Sequence, residues 1–592
     1  MLQTLYVCSG TGIMTIPGMK KTFAFAAVIT GVLAAGCHQT TTIPSHAISP
    51  DSTSLYWFKN SIIYNLDVKV FKDSDGNGIG DFKGLTQQLP YLDSLGITAI
   101  WLAPFQPSQG KDDGYDITDY YAVDPRLGTM NDFKAFVQEA KKHHMRVIID
   151  LVLNHTSNEH PWFQQARANP HSPYFNWYSW STDRPSNQNK GMAFEGVQQE
   201  IWTFDTLAKK YYYHRFYNFE PDLNTQNLAV QAECLKIIKH WISTGIDGFR
   251  EDAVPFFIEV PQKKGKIFHH QFDILLQTHN FLKSLKPDAI ILGEANVMPE
   301  ENEDFFGKHH DGLQMMFNFY ANQYLFYALA TGETAPLIKA LQATRKYPKE
   351  CQWGQFLRNH DEIDLGRLSD EDREKVYLQF GPDDNMHLYN RGIRRRLAPM
   401  LGNDIHFLKL AYSLLYSLPN TPVIRYGEEI GMGDDLTLNE RLSVRTPMQW
   451  SADENAGFST ATKTIRPVID TGLYGYPRVN VANEKEDPAS LLNSIKQFIR
   501  FRKACPEIGF GDWEIVPTSS PNVLAIRYRW QQTTLLVLHN LSKQAQAVTL
   551  STNDLAGKSL VDVADNSRIT ITNNNHPFML QAYGYKWYHI QL

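Results

Sequence analysis

From residue 61 onward, short apolar runs alternate with longer stretches whose apolar positions recur every three to four residues. The short runs read as buried strands and the longer stretches as amphipathic helices. The strands expected are Ile62–Leu66, Thr98–Leu102, Val147–Leu153, Gly248–Arg250, Ile290–Leu292, Gln314–Phe317, Phe356–Arg358 and Val423–Tyr426. Helical patterns such as Asn131–His143, Leu228–Ser243, Phe272–Leu285 and Phe407–Leu418 fall between them. Eight buried strands alternating with helices predict an α/β fold, a (β/α)₈ TIM barrel, because that count closes the sheet. A doubly wound open sheet fits less well, since no Gly-rich dinucleotide loop follows the first strand.

The alternation breaks after Asn154. Residues 155–222 are rich in Trp, Tyr, Pro and Asn without a clear helical period, which predicts a domain inserted after the third strand. Beyond Gly509 the pattern turns to alternating strands, Val523–Tyr528, Thr534–Leu538, Ala547–Leu550 and Tyr585–Ile590, separated by Asn/Ser/Pro turns. The expected organisation is a barrel over 55–508, its insert over 155–222, and a C-terminal antiparallel β-sandwich over 509–592.

The N-terminus has a different grammar. Met19 precedes Lys20 and Lys21, and the apolar run Thr22–Ala35 ends in small residues before Cys37. This reads as a secretory signal over 1–37, too short for a permanent span. Leu33-Ala34-Ala35-Gly36-Cys37 resembles a bacterial lipobox, with the Leu one place further from the Cys than usual. The expectation is an exported lipoprotein anchored through Cys37, with a plain signal peptide as the other reading. Residues 38–54, rich in Ser, Thr and Pro, read as a linker.

Composition narrows the function. The 592 residues carry 57 Lys+Arg against 63 Asp+Glu, so no basic excess exists to neutralise phosphates, and no nucleic-acid partner is expected. The five cysteines are too scattered for a disulfide framework or a zinc cluster; Cys234, Cys351 and Cys505 read as buried free thiols. A mean hydropathy of −0.36 excludes a multi-span membrane protein. The 33 Phe, 28 Tyr and 12 Trp suit a site that grips flat apolar faces.

In a barrel, chemistry sits at the C-terminal ends of the strands. Those ends carry Asp150 with Asn154 and His155, then Arg250 with Asp252, then Glu294, then His360 and Asp361. Period two puts Arg250 and Asp252 on one face, where the guanidinium would keep the carboxylate ionised as a nucleophile needs. Glu294 follows Ile290-Ile291-Leu292, so burial would raise its pKa and keep it protonated as an acid. One ionised and one protonated carboxylate is the pair that retaining glycoside cleavage uses. Taken singly, Arg250–Asp252 could equally be a structural ion pair and Glu294 a helix-starting acid.

Asp150-Leu-Val-Leu-Asn154-His155, Gly248-Phe-Arg-Glu-Asp252, Gly293-Glu294-Ala-Asn296 and Arg358-Asn-His-Asp361 resemble the four signature regions of the α-amylase family, glycoside hydrolase family 13. Glu220-Pro-Asp222-Leu-Asn224 resembles its fifth. The resemblance spans about Tyr56 to the C-terminus. It implies Asp252 as nucleophile, Glu294 as general acid/base and Asp361 as the carboxylate that stabilises the transition state. Arg250, His155 and His360 would hold the reacting glucose, with Asp112 and Tyr115 fixing and stacking on it.

Within the family the chain resembles the trehalose-synthase branch, whose members isomerise maltose to trehalose. The stretches that carry this are Cys351-Gln352-Trp353, Gly392–Pro399, Glu429–Gly433 and Arg445–Trp450, the last shared with α-glucosidases. The branch uses residues matching Asn296 and Glu362 to close the pocket, and Arg445 is taken with the substrate-binding set. A further Glu, usual four residues after the Glu362 position, is Gly366 here. The function expected is maltose–trehalose isomerisation through a covalent glucosyl-aspartate, with maltose or short α-glucans as substrate. An exported α-glucosidase or α-amylase is the alternative, and a catalytically inactive glycan-binding homologue the remaining one. Oligomeric state is not legible.

Two cation sites are expected. The run Asp73-Ser-Asp75-Gly-Asn77-Gly-Ile79-Gly-Asp81 puts oxygen donors at loop positions 1, 3, 5, 7 and 9, with the Ile79 carbonyl at the seventh. The twelfth position is Gly84, so this is no helix-loop-helix sensor. The α-glucosidase-like members bind Ca²⁺ or Mg²⁺ at the matching loop. A second, by resemblance to a trehalose-synthase Ca²⁺ site, would use Asn154, Asp222 and Glu259 with carbonyls near Phe256 and Phe257. Both ions would be structural, because the two-carboxylate chemistry needs no Lewis acid.

Overall fold

The computed structural model describes residues 54–260 and 269–591. The expected signal segment with Cys37, and all but the last residue of the linker, lie outside the described residues. Among the described residues no helix is long and apolar enough to cross a membrane.

Eight parallel strands close a barrel in sequence order. They are β1 (Ile63–Leu66), β2 (Ala99–Leu102), β3 (Arg146–Leu151), β4 (Gly248–Glu251), β5 (Ile290–Gly293), β6 (Met315–Phe317), β7 (Gln352–Phe356) and β8 (Thr421–Arg425). Ile63, Ala99, Trp101, Ile148, Ile290, Leu292, Met315, Phe317, Phe356 and Val423 fill the interior as one apolar cluster. Each such burial contributes about 1.5–3 kcal/mol for a large side chain. The helices form an outer ring; Met130–Lys142, with its Thr129/Asp132 capping box, buries Phe133, Phe136, Val137 and Ala140.

Strand parity carries this core upward into polar residues. Ile148 is followed on the same face by Asp150, Leu292 by Glu294, and Gly248 by Arg250 and Asp252. Gly248 is required where it stands: φ is +151°, and a Cβ there would meet the Ile290 carbonyl oxygen of β5 at 2.2 Å.

The seventh strand lies earlier than expected, ending at Phe356 rather than running to Arg358. Its Gln352 and Gln355 are buried but satisfied, donating to the carbonyls of Lys59 and Gly509 and of Pro419 respectively. Two glutamines mask a buried strand in a reading based on apolar runs.

Between β3 and β4 lies a small three-stranded antiparallel sheet of Trp180–Ser181, Trp202–Asp205 and Lys210–Tyr213. The same segment also holds a helix, Pro161–Ala168, that the aperiodic sequence did not reveal; only Phe163 and Ala166 of it are buried. Trp180 stacks on Phe163 at 5.8 Å and on Phe175 at 5.3 Å, so aromatic contact replaces a helical stripe.

The C-terminal domain is an antiparallel sheet of six strands with a second sheet of two, so the expected sandwich is lopsided. One face of the large sheet closes over Val548, Phe578 and Leu580 of the small one. The other joins the main core through Leu524, Ile526, Tyr528, Leu535, Val537 and Trp587. There Trp587 donates to Ser413 on the helix Ile405–Ser417 at 3.0 Å. Cys234, Cys351 and Cys505 are all buried and free.

Candidate active site

The three expected acids meet at the C-terminal mouth of the barrel. Arg250, 1% exposed, organises two of them: Nη1 donates to Asp252 and to Asp150, each at 2.6 Å, and Nη2 pairs with Glu294 at 2.7 Å. The backbone N–H of Ala253 adds a bond to Glu294 at 3.1 Å. Ala253 holds the left-handed region, φ 47°, a conformation costing roughly 1–2 kcal/mol for a non-glycine. Backbone strain at this turn aims the N–H at the acid.

The charges of the three acids separate. Burial lifts the Asp252 carboxyl to about 6, against the pull of Arg250. The guanidinium beside Asp252 is as expected, but desolvation outweighs it, so the group ionises later than a free aspartate. Burial lifts Glu294 further, to about 7, with Arg250 opposing and the charge of Asp252 adding to the rise. Burial also opposes ionisation of Asp361, yet Arg441 and Arg445 both donate to its Oδ1 at 2.9 Å and hold it well below the usual carboxylate range.

Around them sits a cavity of about 530 Å³, in the size class of small-ligand sites. Asp252, Glu294, Asp361, Asp112, Tyr115, His155, Asn296 and Glu362 all line it. Arg250, His360 and Arg445 are nearly fully buried and touch the acids that line it. Arg445 donates to the His360 carbonyl and to Asp361, and the His360 ring stacks on Tyr115 at 5.6 Å.

Several lining or supporting residues had no signal in the sequence. Arg441 bridges Asp361 and Asp112, the latter at 2.5 Å, from a short turn at Glu440–Val444. Asp113 gathers Lys69, Arg445 and Arg466 into a buried cluster beneath. At the rim, Arg391 donates to the Ala193 carbonyl of the inserted domain at 2.9 Å, to Glu362 at 3.2 Å and to Asp364 at 3.0 Å. Asp364 also accepts from Asn296 at 3.1 Å. None of these pairings has a fixed sequence spacing, so only the folded chain reveals them.

The "Alpha amylase, catalytic domain" family model matches residues 66–380 and 384–511, and the "Maltogenic Amylase, C-terminal domain" model residues 513–587. The chain belongs to the α-amylase family. It is 38% identical to the trehalose synthase of Pimelobacter sp. (strain R48), over 90% of this chain and 96% of that one. It is also 38% identical to the trehalose synthase/amylase TreS of Mycolicibacterium smegmatis, over 91% and 93% of the two chains. Among solved structures, the trehalose-6-phosphate hydrolase TreA of Bacillus licheniformis superposes with a TM-score of 0.73 at 26% identity, covering 90% of this chain and all of that one. The protein is therefore an α-amylase-family glycosidase or transglucosidase.

The residues of the two expected cation sites lie as follows. Carboxylate oxygens of Asp73, Asp75 and Asp81 all lie within 4.8 Å of one another. Asp73 is pinned by the N–H groups of Asp75, Gly76 and Gly78, and Asp81 by that of Ser74. Asn77 accepts from the Ile79 N–H at 2.8 Å, which completes the loop. At the second place Asp222 is bonded to the Arg215 N–H at 2.9 Å and to the Asn154 side chain. Glu259 accepts from Tyr213 at 3.3 Å and faces Arg215 at 3.6 Å. Burial pushes Asp222 well up and Glu259 to about 7, and the charge of Glu259 raises Asp222 further. Both donor sets are oxygen only and acidic, which fits a hard divalent cation.

Proposed function

We propose that the protein isomerises maltose to trehalose by retaining glucosyl transfer inside one pocket. Ionised Asp252 attacks the anomeric carbon of the non-reducing glucose while protonated Glu294 gives its proton to the glycosidic oxygen. The carbon–oxygen bond breaks and a glucosyl-Asp252 ester forms. Asp361, kept anionic by Arg441 and Arg445, lies against the positive charge that develops on the ring. The freed glucose turns, Glu294 takes the proton of its anomeric hydroxyl, and that oxygen displaces Asp252. The order of the carboxyls, about 6 for Asp252 and about 7 for Glu294, is the order this division of labour needs.

The observation that carries transfer over hydrolysis is the rim. Arg391 links the inserted domain to Glu362 and Asp364, and Asp364 links on to Asn296. A rim tied on three sides favours return of the glucose over entry of water. At Gly366 the rim is already close: a Cβ there would stand 3.0 Å from Asp364 Oδ1 and 3.1 Å from the Arg391 side chain. The names of the relatives, trehalose synthase and trehalose synthase/amylase, support the same reading. The test is to incubate the soluble chain, residues 38–592, with maltose and follow the sugars by NMR. Trehalose forming faster than glucose is expected; glucose alone would replace isomerase with α-glucosidase.

Ca²⁺ is proposed at the Asp73–Asp81 loop, with Mg²⁺ as the other candidate, and Ca²⁺ at Asn154, Asp222 and Glu259. An ion there supplies positive charge that relieves the repulsion between Asp222 and Glu259 and stiffens loops flanking the barrel mouth. The segment ending at Cys37 supports export with a lipid anchor. Incorporation of labelled palmitate that is lost in Cys37→Ser tests it, and no incorporation would refute it.

A further inference from the structure

We propose that Cys505, Glu507 and His589 form a site for one borderline transition-metal cation of the Zn²⁺ class. The site lies where the barrel joins the C-terminal sheet, away from the sugar pocket, which none of the three residues lines.

The three come together only in the folded chain. Cys505 follows the helix Leu491–Ala504, Glu507 opens the turn Glu507–Phe510, and His589 sits on the last strand, Tyr585–Gln591, opposite Leu535. Cys505 and Glu507 are buried, while the His589 side chain is 31% exposed, so an ion has a way in. Their ligand atoms all lie within 4.8 Å of one another.

The separations match a coordination polyhedron. Cys505 Sγ lies 3.8 Å from His589 Nε2, and that nitrogen lies 3.4 Å from Glu507 Oε1. A tetrahedral ion with a metal–sulfur bond of about 2.3 Å and metal–nitrogen and metal–oxygen bonds of about 2.0–2.2 Å has edges of about 3.5 Å and about 3.4 Å. One imidazole nitrogen carries one proton or one lone pair. It cannot serve thiol and carboxylate fully at the same time, whereas a cation between them meets all three. A second observation concerns charge: Glu507 is 1% exposed, and only His589, Thr533 and its own backbone N–H support its carboxylate, with no Lys or Arg among the described residues paired to it and no close hydrogen bond at Oε2. A buried carboxylate without a full cation beside it is costly, and a metal ion at the cluster relieves it.

The donors define the ion. Sulfur, nitrogen and oxygen together favour Zn²⁺ and its neighbours over Ca²⁺ or Mg²⁺, which prefer oxygen alone. Three protein ligands leave the fourth position to water on the exposed side of His589. On binding, the S–H bond of Cys505 breaks, the sulfur–metal bond forms and the proton leaves to solvent. The ion would staple the last barrel helix to the last strand of the sheet. Scattered at 505, 507 and 589, the ligands have no zinc-motif spacing, which is why the sequence argued against such a site.

The test uses the full chain, stripped with a chelator and titrated with Co²⁺. One equivalent is expected to give an intense near-ultraviolet thiolate-to-cobalt band that Zn²⁺ abolishes and that is absent in Cys505→Ser. The oxygen-only loop at Asp73 cannot give such a band. Zn²⁺ should also raise Tm in the wild type and not in His589→Gln. Absence of the band in the wild type, leaving a plain Glu507–His589 ion pair, would overturn the proposal. So would a band that persists in Cys505→Ser or, should that variant not fold, one unchanged in His589→Gln.

Discussion

Asp252 and Glu294 share one cation: Arg250 holds the first at 2.6 Å through Nη1 and the second at 2.7 Å through Nη2. The shared guanidinium and the common burial make the two acids a coupled pair, with Glu294 the weaker acid. In the proposed mechanism that one relationship sets the pH behaviour.

The sign follows from the roles. Asp252 must be ionised, so kcat/KM should climb as pH rises through about 6. Glu294 must be protonated, so kcat/KM should fall as pH passes about 7. The apparent values belong to the pair rather than to either residue. A pH profile of kcat/KM on maltose should be a narrow bell, and a flat profile across this range would contradict the assignment.

Asp252→Asn removes the proposed nucleophile and leaves Arg250 with Asp150 and Glu294. It should lower kcat by about 10⁴-fold or more, with Tm changed by only a few degrees. Glu294→Gln should cripple turnover of maltose yet still cleave an α-glucosyl fluoride, whose leaving group needs no proton. Equal loss on both substrates would count against Glu294 as the acid.

Arg391→Ala cuts the rim at Ala193, Glu362 and Asp364 together. Its expected effect is selective. The ratio of glucose to trehalose should rise several-fold while total maltose consumption changes little. A uniform loss of both products would make Arg391 a merely structural residue.

Much of this was legible in the sequence because strand parity repeats. Ile290, Leu292 and Glu294 read as core, core, site, and the barrel delivers them in that order. The seventh strand was misplaced because Gln352 and Gln355 are buried polar residues satisfied by distant carbonyls, which no local pattern announces. Arg250, His360 and Arg445 were found by motif, and the fold brings all three to the acids: Arg250 to Asp252 and Glu294, His360 and Arg445 to Asp361. Arg391 and Arg441 were missed for a related reason. Their partners lie far away in sequence, Ala193 and Asp112 among them, and long-range ion pairs leave no periodic trace.

The proposed Ca²⁺ sites predict a stability effect without a catalytic one. At an ion concentration 100-fold above its Kd, binding to the folded state adds about 2.7 kcal/mol. Ca²⁺ should therefore raise Tm, EGTA should reverse the rise, and Asp73→Ala should blunt it. Calorimetric scans with and without Ca²⁺ measure this; identical scans would remove the ion from the account.

In the proposed isomerisation the glucose freed from maltose stays in the pocket until it is rejoined. The direct measurement is conversion of unlabelled maltose in an excess of uniformly ¹³C-labelled glucose, with trehalose analysed by mass spectrometry at early times. An enclosed transfer predicts trehalose almost free of label. Trehalose labelled in proportion to the free glucose, or no trehalose at all, would contradict it.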